Sequence, residues 1–362
     1  MKIQKASKRF EAWLAEHLTL VAADLELKHA RMREAPFPFL RATFYRWAQR
    51  WPEIRRDLAK APPVLAVGDL HLENFGTWRD REGRLIWGVN DFDEAFPLAY
   101  TNDLVRLAVS AHLAIDANHL AVTTQAACEH ILAGYREGLE EGGKPYVLEE
   151  NDKWLRETVS GVLRDPVHFW GKMNAWPTVR GEIPKSARRA LEEALPESDL
   201  IYRMVHRVAG MGSLGRERYA AIGDWRGARV AREAKALVPS ACVWANEGRG
   251  PRKIFYQEII SKAVRVPDPF LHLRGRWIVR RLSPHCSRVE LASLSEERDE
   301  ERLLYAMGFE TANIHLGNKE AVKAVRRDLA KRKPEWLHAA VQDLSEVVIK
   351  DWEEWKKTES GQ

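Results

Sequence analysis

Two acidic segments of the chain contain the residue types that phosphoryl transfer requires. The segment VGDLHLENF places Asp69 and Asn74 in a loop after a short apolar run, and NDFDEA places Asp91 and Asp93 after a second apolar run. Phosphoryl transfer needs a carboxylate that accepts the proton of the attacking hydroxyl, and oxygen ligands that hold Mg²⁺ on the phosphates. The pattern therefore predicts Asp69 as the catalytic base and Asn74 and Asp91 as metal ligands. Asp93 is predicted as a further ligand.

A glycine-rich segment supplies a candidate phosphate-binding loop. The segment GMGSLG fits GxGxxG with Gly210, Gly212 and Gly215, and it also contains Ser213. In a dinucleotide-binding fold this motif lies between a strand and a helix, whereas in a kinase it is the bend of a hairpin that covers the ATP phosphates. The next segment, RYAAI, runs into a Gly223-Asp224 turn after a few residues, which is too short for a helix. The hairpin is therefore favoured, with these four residues contacting a nucleotide.

Lys235 is the candidate lysine that would contact the α- and β-phosphates of such a nucleotide. It lies in VAREAK, which is typical of a strand next to the glycine hairpin. A kinase lysine usually needs a helix glutamate to hold it, and Glu258 in YQEII is the first candidate, followed by Glu247. The segment RWIVRRL predicts another strand. Its paired arginines, Arg280 and Arg281, could meet phosphate or substrate acids, although such pairs more often form surface ion pairs.

These motifs resemble known kinase motifs. GDLHLEN is similar to the catalytic loop HGDxHxxN of aminoglycoside-phosphotransferase-like kinases, which adds His71 as a candidate catalytic residue, and NDFDEA is similar to their metal-binding IDF or DFG segment. More closely, the chain resembles the bacterial kinase-like family called Domain of Unknown Function 2252. The matching stretches are FPFLRATFYRW, VGDLHLENFG, NDFDEAFP, DLVRLAVS, GMGSLG, AKALVPSA and YAMGFETANIHLGN. The resemblance implies a kinase-like fold and a phosphotransferase activity that uses ATP and Mg²⁺.

The hydrophobic patterns predict a mixture of helices and strands. Amphipathic helices are indicated from residue 6 to about 33, and short strands at Val64–Val67 and Arg84–Val89, separated by a polar loop. A helix capped by Asn102 or Asp103 follows. Residues 203–235 contain eight Lys and Arg against three acids, together with alternating segments typical of antiparallel strands. Helical patterns return after residue 293, a position that lies outside the residues described structurally below.

The order of the motifs predicts a rearranged kinase-like fold. In ordinary kinases the glycine loop and lysine precede the catalytic and metal-binding acids, whereas here they follow them. We therefore expect an α+β, two-lobed, protein-kinase-like fold that is circularly permuted. Residues 1–200 would form a helical large lobe with both acidic loops, 201–285 a small β-rich nucleotide-binding lobe, and 286–362 helices that complete the large lobe.

Composition sets outer limits on function. The net charge of +5 over 362 residues is too small for a histone-like protein, and 45% hydrophobic residues support sizeable cores. Three widely spaced cysteines and the absence of a secretory or membrane-spanning pattern predict a cytoplasmic protein. The scattered tryptophans show no nucleic-acid-binding pattern. The expected partners are a nucleotide and a small-molecule or protein acceptor that the sequence does not identify.

Two alternative functions stay open at this stage. Because Asp93 stands where DFG has glycine, and Val67 stands where the catalytic loop has histidine, the chain could be a pseudokinase-like regulator that binds nucleotide with little turnover. The Asp69-Leu70-His71 triplet also matches the DxH that begins a metallophosphoesterase site. That site needs a later GNH[DE] segment, and the nearest match has lysine at the ligand position, as Gly317-Asn318-Lys319-Glu320.

Overall fold

The computed structural model describes residues 1–149, 151–160, 165–284, 286 and 299–357. In this part of the chain, helices precede and follow a five-stranded antiparallel sheet, and two smaller sheets lie within the first helical part. The α+β prediction is therefore confirmed. Every helix in the described ranges is too short or too polar to cross a membrane.

The first part of the chain is mainly helical. Its helices are α1 (Ile3–Ala15), α2 (Ala22–Glu34), α3 (Pro36–Ala42), α4 (Phe44–Ile54), α5 (Arg56–Ala59), α6 (Thr101–Asp116), α7 (Thr124–Glu141), α8 (Lys153–Ser160), α9 (Pro166–Asn174) and α10 (Lys185–Glu192). Its strands are β1 (Pro63–Ala66), β2 (Phe75–Arg79), β3 (Leu85–Val89), β4 (Phe96–Ala99) and β5 (Tyr146–Val147). β1 pairs with β4, and β3 pairs with both β2 and β5.

Two local expectations in this part were wrong. β2 begins at Phe75 and includes Thr77, where a polar loop was expected, because Thr77 and Trp78 are buried and the strand pairs with β3. The helix expected from an Asn102 or Asp103 cap is α6, but it begins at Thr101, so both residues lie inside its first turn.

The five-stranded sheet follows α10. Its strands are β6 (Tyr202–His206), β7 (Arg218–Trp225), β8 (Ala228–Ala236), β9 (His272–Arg274) and β10 (Trp277–Leu282), in the order β6-β7-β8-β10-β9. Two short helices, α11 (Ala241–Ala245) and α12 (Tyr256–Lys262), lie between β8 and β9. The predicted strands in VAREAK and RWIVRRL are therefore confirmed, and they pair with each other as β8 and β10.

The glycine motif connects β6 to β7, which confirms the predicted hairpin. The next turn lies later than expected, however. β7 continues through Gly223, which pairs with both Tyr202 and Val230, and the chain reverses at Arg226 and Gly227. Both turn residues have positive φ angles, 48° and 83°, as a two-residue hairpin with the twist of its strands requires.

The helices after the sheet return to the first part of the chain. They are α13 (Glu300–His315), α14 (Lys319–Lys331) and α15 (Trp336–Lys356). α13 packs along α7, and α15 packs on α2, α3 and α6. Gly134 and Gly308 permit the close approach of α7 and α13, because a Cβ at either position would overlap the backbone of the other helix. The predicted boundary after residue 285 falls on a residue outside the described ranges.

Candidate active site

The first turn of α6 holds the Asp69 loop, residues 67–74, through hydrogen bonds to Asp103. Both carboxylate oxygens of Asp103 accept backbone hydrogen bonds, from Val67 N at 2.7 Å and from Gly68 N at 3.0 Å. Asp103 also contacts His315 Nε2 at 3.1 Å, and His315 Nδ1 lies 2.9 Å from the Tyr135 hydroxyl. The loop geometry therefore depends on a buried polar chain that runs through α6, α13 and α7.

Gly68 makes the sharp turn that leads into Asp69. Its φ angle is +82°, and a Cβ at this position would overlap the carbonyl oxygen of Glu94. A side chain would therefore separate the Asp69 loop from the Asp91 loop, residues 90–95. The absence of a side chain at Gly68 thus keeps the Asp91 loop next to the Asp69 loop.

Arg106 fixes one oxygen of the Asp69 carboxylate. Its Nε donates to Oδ1 at 2.8 Å and its Nη2 donates to the same oxygen, while the guanidinium lies 5.1 Å from the ring centroid of Phe44 and 5.0 Å from that of Trp47. Oδ2 is directed towards the glycine loop, residues 210–215, since a Cβ on Gly212 would lie 3.4 Å from it. One oxygen is therefore held and the other faces the site.

Asp69 has an unusual acidity for an aspartate. Burial raises its pKa to about 6, although the charge and hydrogen bonds of Arg106 act in the opposite direction. The negative charges of Glu94 and Asp91 raise this pKa further. At neutral pH the carboxylate is ionised but more basic than an ordinary aspartate.

Asn74 joins the two acidic loops. Its Nδ2 donates to the backbone oxygen of Asp69 at 3.1 Å and to that of Asp91 at 3.2 Å. The backbone of Asn74 also accepts a hydrogen bond from Asn90 N at 2.8 Å. Because these contacts use Nδ2, Oδ1 is the side-chain atom of Asn74 that could coordinate a cation.

Lys235 on the central strand β8 meets the Asp91 loop across 144 positions of sequence. Its Nζ lies 3.2 and 3.1 Å from the two carboxylate oxygens of Asp91 and 2.6 Å from Asp93 Oδ2. The lysine is buried, which lowers its pKa, while the two carboxylates oppose that shift. Burial and the neighbouring Asp91 charge raise the pKa of Asp93.

The glycine loop lies directly over the Asp69 loop. Gly210 and Gly215 have φ angles of +78° and +92°, and a Cβ on Gly212 would lie 3.1 Å from the backbone oxygen of Arg41. Ser213 Oγ accepts a hydrogen bond from Arg218 Nη2 at 2.6 Å. The predicted glycine-loop residues are therefore brought next to Asp69 and to the start of β7.

The structure does not place Glu258 where the sequence suggested. Its carboxylate lies 2.6 Å from Lys253 Nζ and 2.8 Å from Lys262 Nζ, on α12, which contacts the edge strand β9. Lys235 lies on a central strand and has Asp91 and Asp93 as its acidic partners, so the assignment of Glu258 as its partner was wrong. The second candidate, Glu247, forms an exposed pair with Arg249.

Two adjoining spaces border these residues. A small pocket of about 50 Å³ lies between the glycine loop and the two acidic loops, and its lining includes Asp69, His71, Asn74, Asp91 and Asp93. A larger cleft of about 530 Å³ extends over the face of the five-stranded sheet. Asn74, Asp91, Gly210 and Met211 line both spaces, so a ligand in the cleft can reach the small pocket.

Three groups that shape this region were not recognised from the sequence. Asp103 was interpreted only as a helix cap, and Arg106 was not singled out. The signal available for both was the stretch DLVRLAVS, a charged pair at helical spacing within an otherwise apolar helix. Glu233 was also missed, although it lies two residues before Lys235 and therefore on the same face of β8.

The fold and the site define an α+β protein with an acidic centre at one end of a cleft that is rich in basic side chains. A family model described as "Uncharacterized protein conserved in bacteria (DUF2252)" matches residues 20–168, so this part of the chain is similar to that family. The match includes both acidic loops and α6 and ends before the five-stranded sheet. No curated protein and no solved structure matches the chain significantly.

Proposed function

We propose that the protein is an ATP- and Mg²⁺-dependent phosphotransferase that acts on a hydroxyl acceptor. Asp69 is the base, the glycine loop and Lys235 bind the triphosphate, and Asn74, Asp91 and Asp93 provide the metal ligands. The acceptor, a small molecule or a protein, is not identified by the geometry. The catalysis would consist of positioning and charge neutralisation.

The contact between Lys235 and Asp91 supports this proposal most strongly. Phosphoryl transfer needs a lysine for the phosphates beside an acid for the metal. These two residues come from motifs 144 positions apart, and their charged atoms are 3.1 Å apart. An accidental surface ion pair is a poor explanation, because the lysine side chain is only 1% exposed.

Asp69 is suited to accept the proton of an acceptor hydroxyl. Oδ1 is fixed by Arg106, so Oδ2 has one orientation towards the glycine loop and the small pocket. A base whose pKa is close to the working pH transfers protons more efficiently than one with an ordinary aspartate pKa. The raised pKa of Asp69, about 6, therefore favours this role.

The residues present fit a magnesium ion that is shared with phosphates. Mg²⁺ is commonly held by one or two carboxylates together with phosphate oxygens and water. Asp91 and Asp93 supply the carboxylates and Asn74 an amide oxygen, whereas no group of three or more His, Cys, Asp or Glu side chains in the described ranges has the arrangement of a protein-only metal site. Bound there, the ion would neutralise charge on the transferring phosphate.

We further propose that the fold is a circularly permuted kinase-like fold. In support, the glycine hairpin and the lysine strand are neighbours in one sheet, although both follow the acidic loops in sequence. The helices before and after that sheet pack against each other, as expected for a large lobe built from two separate segments.

Calorimetric titration of ATP, with and without Mg²⁺, tests the proposed function. We expect Mg²⁺-dependent binding to the wild type that weakens at least about tenfold in Lys235→Ala and in Asp91→Asn. Lys262→Ala is the matched control, because this lysine is exposed and pairs with Glu258. Failure of the wild type to bind ATP, or equal binding by all variants, would overturn the proposal.

A nucleotide-binding regulator is the second candidate. The observation in its favour is that Asp93, which stands where a kinase DFG segment has glycine, lies 2.6 Å from Lys235. This contact could hold the lysine away from phosphates. Asp69→Asn separates the two candidates: loss of turnover with ATP affinity retained indicates an enzyme, whereas an unchanged cellular phenotype indicates a regulator.

A further inference from the structure

An arginine cluster lies on the cleft face of the five-stranded sheet, next to Lys235. It consists of Glu233 on β8 surrounded by Arg207 after β6, Arg218 on β7 and Arg280 on β10. Arg207 forms an ion pair with Glu233 Oε2, Arg218 Nη1 lies 3.4 Å from the same oxygen, and Arg280 Nε lies 3.8 Å from Oε1. All four residues line the 530 Å³ cleft.

The charges of this cluster are unequal. Three guanidinium groups surround one carboxylate, and the Glu233 side chain is only 1% exposed. Burial opposes its ionisation, but the three arginines hold the pKa of Glu233 well below its usual range, so the cluster has two positive charges in excess. The neighbouring group of Lys235, Asp91 and Asp93 has one negative charge in excess, so the cluster and this group together keep one positive charge in excess.

The other contacts of the arginines do not compensate this charge. Arg280 reaches the neutral groups Asn90 Oδ1 and Tyr256 OH, both at 3.5 Å, and Arg218 donates to Ser213 Oγ. Arg207 lies over the Trp176 ring at 5.7 Å. The buried Nε atoms of Arg207 and Arg280 have no hydrogen-bond acceptor within the described part of the chain. Excess buried charge of this kind is costly unless an anion balances it.

We propose that Arg207, Arg218 and Arg280 form a subsite that binds a phosphate group of the ligand in the cleft, with Glu233 holding the three side chains in place. Guanidinium groups bind phosphate oxygens through paired, charge-assisted hydrogen bonds, so a phosphate group would offset the excess positive charge of the three arginines.

The subsite itself does not depend on the proposed function, but one source of the phosphate does. Glu233 and Lys235 are two residues apart on one strand, or about 7 Å, which a triphosphate can span. The phosphate could thus belong to the polyphosphate of a nucleotide donor, which rests on the proposed function. It could also belong to a phosphorylated acceptor.

Titration of inorganic pyrophosphate without Mg²⁺ tests the subsite directly. We expect binding to the wild type that weakens about tenfold or more in Arg207→Gln and in Arg280→Gln, since each loses a charge-assisted contact. Arg226→Gln is the control, because this arginine lies at the exposed β7–β8 turn of the same sheet. If Arg280→Gln does not fold, Arg207→Gln decides, as its side chain lies at a strand end and is partly exposed.

The outcomes separate the subsite from the proposed function. No pyrophosphate binding by the wild type, or equal binding by the arginine variants, would overturn the subsite. Pyrophosphate binding that depends on the arginines, in a protein that does not bind Mg-ATP, would support the subsite and contradict the nucleotide donor. If saturating Mg-ATP prevents pyrophosphate binding, the nucleotide occupies the subsite; if binding persists, the subsite belongs to the acceptor.

Discussion

Two buried arrangements of arginine and acid border the two adjoining spaces, one at the small pocket and one in the cleft, and they differ in charge balance. In the helical part, Arg106 and Asp69 form a pair of one cation and one anion, enclosed by aromatic rings. On the sheet, three arginines share the single carboxylate of Glu233. Both arrangements contain fully buried charged groups, so burial alone does not distinguish them.

The difference indicates two roles for buried charge. A balanced pair can fix the position of a side chain without further help, as Arg106 does for one oxygen of Asp69. An unbalanced cluster retains a net field and is stabilised when an opposite charge enters. We therefore assign a positioning role to the balanced pair and a ligand-binding role to the unbalanced cluster.

Removal of the cation from the balanced pair should have the largest effect. Arg106→Ala is expected to lower the free energy of unfolding by about 3–5 kcal/mol, because Asp69 is left buried without its partner. Urea denaturation at pH 7 measures this change. Arg55→Ala, which removes an arginine whose partners Asp57 and Asp343 are both exposed, should cost less than about 1 kcal/mol. Equal losses in the two variants would contradict the distinction between buried and surface pairs.

Removal of the anion from the unbalanced cluster should have a smaller effect that depends on ligand. Glu233→Gln is expected to lower the free energy of unfolding by about 2 kcal/mol at low salt, because three arginines then face one another. Added pyrophosphate should stabilise Glu233→Gln, which has one more uncompensated positive charge at the subsite, more than Arg106→Ala, whose subsite is that of the wild type. Thermal denaturation with and without pyrophosphate measures this stabilisation. Equal stabilisation of the two variants would contradict the distinction between the balanced pair and the unbalanced cluster.

The pH dependence of turnover should report the acid of the balanced pair. With the pKa of Asp69 near 6, kcat/KM should be about tenfold lower at pH 5 than its plateau value, and it should level off above pH 7. A rate independent of pH over this range would exclude Asp69 as the base.

The raised pKa of Asp69 acts on stability in the direction opposite to its effect on turnover: the free energy of unfolding falls as pH rises. Because the folded-state pKa of Asp69 is raised, its protonated form favours folding, and this contribution is lost as pH rises from its ordinary pKa of 3.8 through about 6. Asp69→Asn should remove that decline in the free energy of unfolding.

The smallest effect is expected at Glu258, a partly exposed acid with two lysine partners. Glu258→Ala should change the free energy of unfolding by less than about 0.5 kcal/mol, and ATP affinity should stay unchanged, because Glu258 pairs with Lys253 and Lys262 at the surface. A large loss of ATP affinity in calorimetry would restore Glu258 as the partner of Lys235.

Elements defined by local patterns could be predicted from the sequence. The alternation in RWIVRRL and VAREAK predicted β10 and β8, and the glycine spacing predicted the β6–β7 hairpin. The turn at Arg226 and Gly227 was missed, because Gly223-Asp224 is the stronger turn signal while pairing with two neighbours keeps Gly223 in the strand. Tertiary pairing overrode local propensity there.

The candidate site could be predicted only in part. Asp69, Asn74, Asp91 and Lys235 carry motif signals, and the structure brings them together. An aspartate near a helix start looks the same in sequence whether it caps the helix or holds another loop, so the role of Asp103 could not be read.

The arginine cluster depends on long-range register and could not be predicted. Arg280 stands opposite Glu233, and Arg218 stands opposite Lys235, only because β7, β8 and β10 pair in this register. A shift of one residue would turn these side chains to the other face of the sheet. The neighbouring Arg281 packs over Phe270, so the paired arginines of RWIVRRL have different environments.

The contact between Asp103 and His315 has a consequence for the order of biosynthesis. The two residues are 212 positions apart, and Asp103 holds the backbone of the Asp69 loop. A ribosome must therefore complete the five-stranded sheet and α13 before Asp103 gains its contact with His315. A nascent or truncated chain that ends within the sheet after β8 would carry Asp69, Asp91 and Lys235 but lack His315, so Asp103 would hold the Asp69 loop without its buried partner on α13.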